Sequence, residues 1–218
     1  MGCLKTMNER EYIEDLVRHA EDTVGFLSNE RKQERERSVC AALLRCLGIE
    51  FSTKEIKSSE DEPPDVVFRD ARFEVREILN KGRRRHDEMK AKRERLSNAK
   101  TLDDVSEPPP KLPVPLPYEK VIGIVSSALN RKAQRYSQNV RANLDALVYV
   151  NLVGKFLDID SPLPSLDPLR SQEWRSVSIF FHPSALVLYA KPLAPAFLRN
   201  VVGRTMAEWN SPFGLFDL

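Results

Sequence analysis

The segment Pro63–Glu77, PPDVVFRDARFEVRE, constrains the fold more than any other part of the chain. Val66–Phe68 and Phe73–Val75 are β-branched and aromatic, and the polar RDAR between them reads as a turn. Side chains alternate faces along a strand. Pairing Arg69 with Arg72 sets Phe68 opposite Phe73, Val67 opposite Glu74 and Asp65 opposite Arg76. Val66, Phe68, Phe73 and Val75 then make a core face, and Asp65, Val67, Glu74 and Arg76 share the other. Slipping one strand by a single residue would separate the carboxylates and split the apolar set, so burial favours this pairing.

Two acids held side by side on stiff strands suit a hard divalent cation, Mg²⁺ or Mn²⁺, which takes few carboxylates and keeps several waters. Asp65 and Glu74 are the candidate metal ligands. The order Pro-Asp, a short gap, then Glu-Val-Arg resembles the PD-(D/E)XK, or restriction-endonuclease-like, nuclease superfamily. Its motif is an Asp followed on the next strand by Glu-x-Lys, and here Arg76 stands in the Lys position. The whole chain also resembles a small bacterial family of uncharacterised proteins described only as "putative endonucleases". The resemblance implies a mixed α/β fold built as a helix, a three-stranded hairpin sheet, a crossover helix and a further strand, with extra helices. It also implies a metal-dependent endonuclease that hydrolyses phosphodiester bonds in nucleic acid.

The 218 residues suffice for one large domain or two small ones. Hydrophobic residues at 41% can fill a core, and 34 basic against 32 acidic residues leave net charge silent about partners. Three cysteines make no disulfide framework: Cys40 and Cys46 lie on poorly matched faces of one helix, and Cys3 sits near the terminus. Reduced thiols and a cytoplasmic compartment are expected. No apolar run approaches the roughly 20 residues of a membrane span, and no signal-peptide core is present. MGCLKT fits a myristoylation pattern, but Met7 followed by NEREYIEDL reads as an equally good start.

Asn8 with Glu11 forms a capping-box pattern that opens a helix to about Phe26. Residues 1–28 are expected to pack as an N-terminal helix on a single nuclease-like domain spanning 29–218. A second helix, about Asn29 to Leu47, ends at Gly48 and buries Val39, Leu43 and Cys46. Glu36 lies three, four and seven residues before Val39, Cys40 and Leu43, so it enters the buried side. A carboxylate there needs a partner. Arg37 or another arginine would serve, and so would a metal site beneath the hairpin. The resemblance adds weight to the second, because nuclease-like folds often carry a Glu on the helix before the sheet.

The spacing predicts a first strand over Ile49–Ile56, a helix from Tyr118 to about Gln138, and a doubly buried central strand over Asp145–Val153. A hairpin over Val177–His182 and Ala185–Ala190 and a last helix over Pro195–Trp209 follow. SEPPPKLPVPLP, residues 106–117, reads as a strap across the domain surface.

From Lys81 to Arg95 eight Lys or Arg face three acids, with only Met89 and then Leu96 as an apolar line. Such a helix is a solvated surface laced with i,i+4 pairs, or a phosphate-gripping one. For the second, Arg83, Arg84, Arg85, Lys90, Lys92 and Arg93 are the contacts, just beyond the carboxylates. His86 is a candidate proton donor.

The expected site therefore comprises Asp65, Glu74, Arg76 and Glu36. Arg76 would stabilise charge on phosphate oxygens but stays protonated, so a second metal, Glu36 or Lys81 would have to handle the water's proton. Glu77 is a fallback ligand on the opposite face. Nucleic acid is the expected partner, DNA ahead of RNA, with no membrane, and homodimerisation is left open. A catalytically inactive nuclease-like protein that binds nucleic acid or acts as a scaffold is the alternative.

Overall fold

The structure, a computed structural model, describes residues 8–108 and 111–207. In chain order its elements begin with α1 (Glu9–Phe26) and α2 (Lys32–Cys46), then β1 (Lys57–Ser58), β2 (Val66–Phe68) and β3 (Ala71–Leu79). Next come α3 (Arg85–Asn98), α4 (Leu102–Val105), β4 (Val114–Pro117), α5 (Tyr118–Ala133) and α6 (Gln138–Arg141). The remainder is β5 (Asp145–Asn151), β6 (Lys155–Asp158), α7 (Asp167–Arg170), β7 (Ser176–Phe181), β8 (Ser184–Ala190), α8 (Ala196–Arg199) and β9 (Thr205–Ala207). Among the described residues, those up to Arg35 together with the stretch from Gly82 to Lys111 form one compact unit, and Glu36–Lys81 with those from Leu112 onward form the other.

In the first unit α1 opens on the expected capping box, with the Glu11 N–H donating to Asn8 Oδ1 at 2.8 Å and the Asn8 N–H to Glu11 Oε2 at 3.2 Å. It packs against α3, whose Leu96 is buried.

The second unit is built on a seven-stranded sheet in the order β1-β2-β3-β5-β7-β8-β9. Its centre, β3-β5-β7, is parallel, and both flanks are antiparallel. Parallel neighbours need a crossover, and α5 supplies the helix between β3 and β5. The order helix, three strands, crossover helix, strand is the expected one, and the mixed α/β class is borne out. Every residue of β5 except Asn151 is buried, because helices cover both faces of the sheet. One face carries Val66, Phe68, Phe73 and Leu147 against Val39, Leu43 and Leu44 of α2. The other carries Ala146, Val148 and Val150 against Val121, Val125 and Leu129 of α5.

Several expected elements differ. Ile49–Ile56 contains no strand: Ser52 and Glu55 cap each other and start a short 3₁₀ turn over Thr53–Glu55, leaving β1 only Lys57–Ser58. The expected helix over Pro195–Trp209 shrinks to α8 and gives way to β9, which pairs with β8; Glu208 and Trp209 lie outside the described residues. The helix expected to Gln138 ends at Ala133. Within the proline-rich strap β4 pairs with β6 in a separate two-stranded sheet, an edge position where proline's missing N–H costs little. Cys40 and Cys46 are buried free thiols, and Cys3 lies outside the described residues. No helix among the described residues is long and apolar enough to cross a membrane.

Candidate functional site

The hairpin forms with the expected faces but a different register. Val66 pairs with Phe73, Val67 with Arg72 and Phe68 with Ala71, two residues away from the anticipated alignment. The loop is Arg69-Asp70, with Arg69 in the left-handed region at φ 52°, the backbone that two-residue hairpins favour at this position. Contacts distant in sequence hold it there: its guanidinium donates to Glu55 Oε2 at 3.2 Å and to Glu50 O at 2.9 Å, and lies 4.7 Å from the Phe68 ring centre. Because a two-residue shift preserves strand parity, the core face and the alternate face bearing Val67, Glu74 and Arg76 survive intact.

Asp65 lies immediately before β2, and with Val66 paired to Phe73 it does not face Arg76 as expected. The Asp65 N–H donates to Phe73 O at 3.0 Å, and its Oδ2 accepts the Val75 N–H at 2.8 Å. Both acids are buried, Asp65 to 6% exposure and Glu74 to 2%. Burial pushes the Glu74 carboxyl above its ordinary value, and the nearby Asp65 charge adds to the rise.

Two groups from beyond the hairpin oppose that rise. Lys132, on the last turn of α5, forms an ion pair with Glu74 Oε1, and the Tyr136 hydroxyl donates to the same oxygen at 3.1 Å. The Lys132 side chain is 16% exposed. Tyr136 is fixed from behind: Arg141 Nη1 donates to its carbonyl and, at 2.9 Å, to Ala133 O, while its ring meets Trp174 edge-on at 6.5 Å. Burial, then the charges of Glu74, Asp65 and Glu62, push the Tyr136 phenol upward. The base of the site is braced by Asp145 at the start of β5. Its carboxylate accepts the Arg72 N–H at 3.0 Å and the Ser176 hydroxyl at 2.7 Å, and forms an ion pair with Arg175.

Sequence reasoning missed both Lys132 and Tyr136. A signal existed: Lys132 continues the inward stripe of α5, seven residues after Val125 and three after Leu129. A lysine on a buried stripe demands a counter-charge as much as Glu36 did.

The other anticipated residues are dispersed. Arg76 shares the Glu74 face of β3 and is exposed. Glu36 is buried as expected, on α2, the helix whose apolar residues cover the opposite face of the sheet. No three metal-ligating side chains cluster among the described residues, so Glu36 does not complete a set with Asp65 and Glu74. Glu77 accepts from Asn151 Nδ2 at 2.9 Å.

In the first unit the basic run is largely engaged with acids. Arg83 pairs with Glu88 at 2.9 Å, Arg84 with Asp87 at 3.8 Å, and Lys92 and Arg95 both reach Glu107, at 3.3 and 2.5 Å. Arg85 is buried, whereas Lys90 is exposed and Arg93 half-buried.

The family described as "Putative endonuclease, protein of unknown function (DUF1780)" matches residues 8–211. A protein of unknown function from Pseudomonas aeruginosa strain PAO1, described as of the monooxygenase superfamily, has a similar solved structure: TM-score 0.64, 30% identity, 96% of this chain and 99% of that one covered. Among curated proteins none matches the chain.

Proposed function

Since the chain belongs to this endonuclease-designated family, we propose that it is a metal-dependent endonuclease whose catalytic centre is the Asp65–Glu74 pair. The observation that carries the reading is the burial of two neighbouring carboxylates, one on β3 and one just before β2, with a lysine drawn onto the first. Burying two like charges together is costly without a cation. The donor set fits Mg²⁺ or Mn²⁺, which need few protein oxygens and complete their shell with water. Asp65 and Glu74 would hold the ion, which when bound supplies phosphate polarisation and a more acidic water.

This chain's own residues supply the rest. Val75 N–H orients Asp65, and Tyr136 orients Glu74. Arg76 offers a fixed positive charge to phosphate oxygens from the same strand face. Lys132 has the proton-exchanging amine that Arg76 lacks, so Glu36 and Lys81 are not required for that role. The proposed substrate is a nucleic acid, with Lys90 and Arg93 the α3 cations best able to meet phosphates.

Binding without cleavage is the second reading, and Arg76 in the Lys position favours it. Lys132 on Glu74 weighs against it by providing a lysine from another element. The test is cleavage of single- and double-stranded DNA and RNA with Mg²⁺ or Mn²⁺. Wild type should cut at least one of them and Glu74→Gln none. Cleavage equal in both proteins, or absent from wild type, contradicts the proposal.

A further inference from the structure

We infer that Lys132 is the resident counter-ion of the metal-free site, and that it must release Glu74 for a divalent cation to bind. The inference rests on the proposed metal site and adds a competition within it. Both side-chain contacts to Glu74, the Lys132 ammonium and the Tyr136 hydroxyl, converge on Oε1. A carboxylate at 2% exposure beside a second one at 6% requires neutralisation, and Lys132 is the ion-paired cation that Glu74 has. The ammonium and a divalent ion thus serve one purpose at one oxygen and repel each other there.

The geometry also allows release. Lys132 sits on the last turn of α5 with a flexible four-carbon stem, and its side chain, 16% exposed, touches solvent where Glu74 does not. Tyr136 stays, because Arg141 and Trp174 hold it from the other side. Glu74 therefore keeps one orienting hydrogen bond while exchanging one cation for another. Metal binding is coupled to freeing an amine beside the proposed reaction centre.

Mn²⁺ titration calorimetry on the full chain tests this, using wild type, Lys132→Met, Lys132→Gln and Glu74→Gln. Removing a positive charge next to a divalent ion should tighten Mn²⁺ binding roughly tenfold or more in both Lys132 variants. Glu74→Gln should abolish it. Equal or weaker binding by the Lys132 variants, with wild type binding and Glu74→Gln not, overturns the competition and leaves the metal site standing. No Mn²⁺ binding by wild type overturns both. Should the Lys132 variants fail to fold, acetylation of wild type with mass-spectrometric mapping decides: Lys132 should react faster with Mn²⁺ than without, and equal rates contradict the inference.

Discussion

The Asp65 carboxylate accepts the Val75 amide proton at 2.8 Å, which ties the acid just before β2 to the backbone of the strand that carries Glu74. Asparagine at position 65 keeps an acceptor for that amide while losing the charge. Asp65→Asn should therefore fold with nearly wild-type thermal stability yet lose most Mn²⁺ affinity. A calorimetric titration together with a melting curve checks both halves, and unchanged affinity would remove Asp65 from the site.

Glu74 gives a pH prediction. Its carboxyl is raised above the ordinary 4.5, chiefly by burial. The folded state therefore holds that proton more tightly than the unfolded state. The stability this contributes is fully present below 4.5 and is lost as pH rises through the raised value. In metal-free buffer, Glu74→Gln should gain stability relative to wild type as pH rises above 4.5. Melting temperatures measured from pH 4 to 8 check this, and a wild-type advantage that grows with pH would contradict it.

Much of the hairpin was legible because period-two alternation survives any even shift in register. Val66, Phe68 and Phe73 reached the core, and Asp65 and Glu74 came close enough for the charge of one to act on the other. The alignment itself was not legible. It depends on Arg69 adopting positive φ and reaching Glu55 and Glu50, contacts 14 and 19 residues away in sequence. Ser52 and Glu55 announced a capping box inside the run read as a strand, a local signal outweighed by the apolar Ile49, Phe51 and Ile56. Lys132 shows the reverse case. Its place on the α5 stripe was visible, but its partner lies 58 positions earlier, on a strand that only tertiary packing brings beneath it (132 − 74).

The basic helix should act through few of its cations. Arg83 and Arg84 are held by Glu88 and Asp87, and Arg85 is buried. Lys90→Glu with Arg93→Glu should flatten the log–log salt slope of duplex DNA binding by about 0.9 for each phosphate no longer neutralised. Arg83→Glu with Arg84→Glu should change it less. Fluorescence anisotropy across a salt series decides, and wild-type slopes in both double variants would reduce α3 to a solvated surface.

Arg76 should matter for rate more than for binding. Arg76→Ala should lower cleavage by roughly 10², the scale of losing one transition-state donor. Arg76→Lys should retain it, because a lysine also presents positive charge from that strand face. Single-turnover rates at saturating enzyme separate chemistry from affinity. An undiminished rate in Arg76→Ala would exclude it from the reaction.

The most direct test of the account is crystallographic: soak crystals in Mn²⁺ and calculate an anomalous difference map. The account predicts a peak within coordination distance of both the Asp65 and Glu74 carboxylates, with the Lys132 amine withdrawn from Glu74 Oε1. Full-occupancy Mn²⁺ elsewhere, with the Lys132–Glu74 ion pair intact and no peak between the two acids, would contradict it.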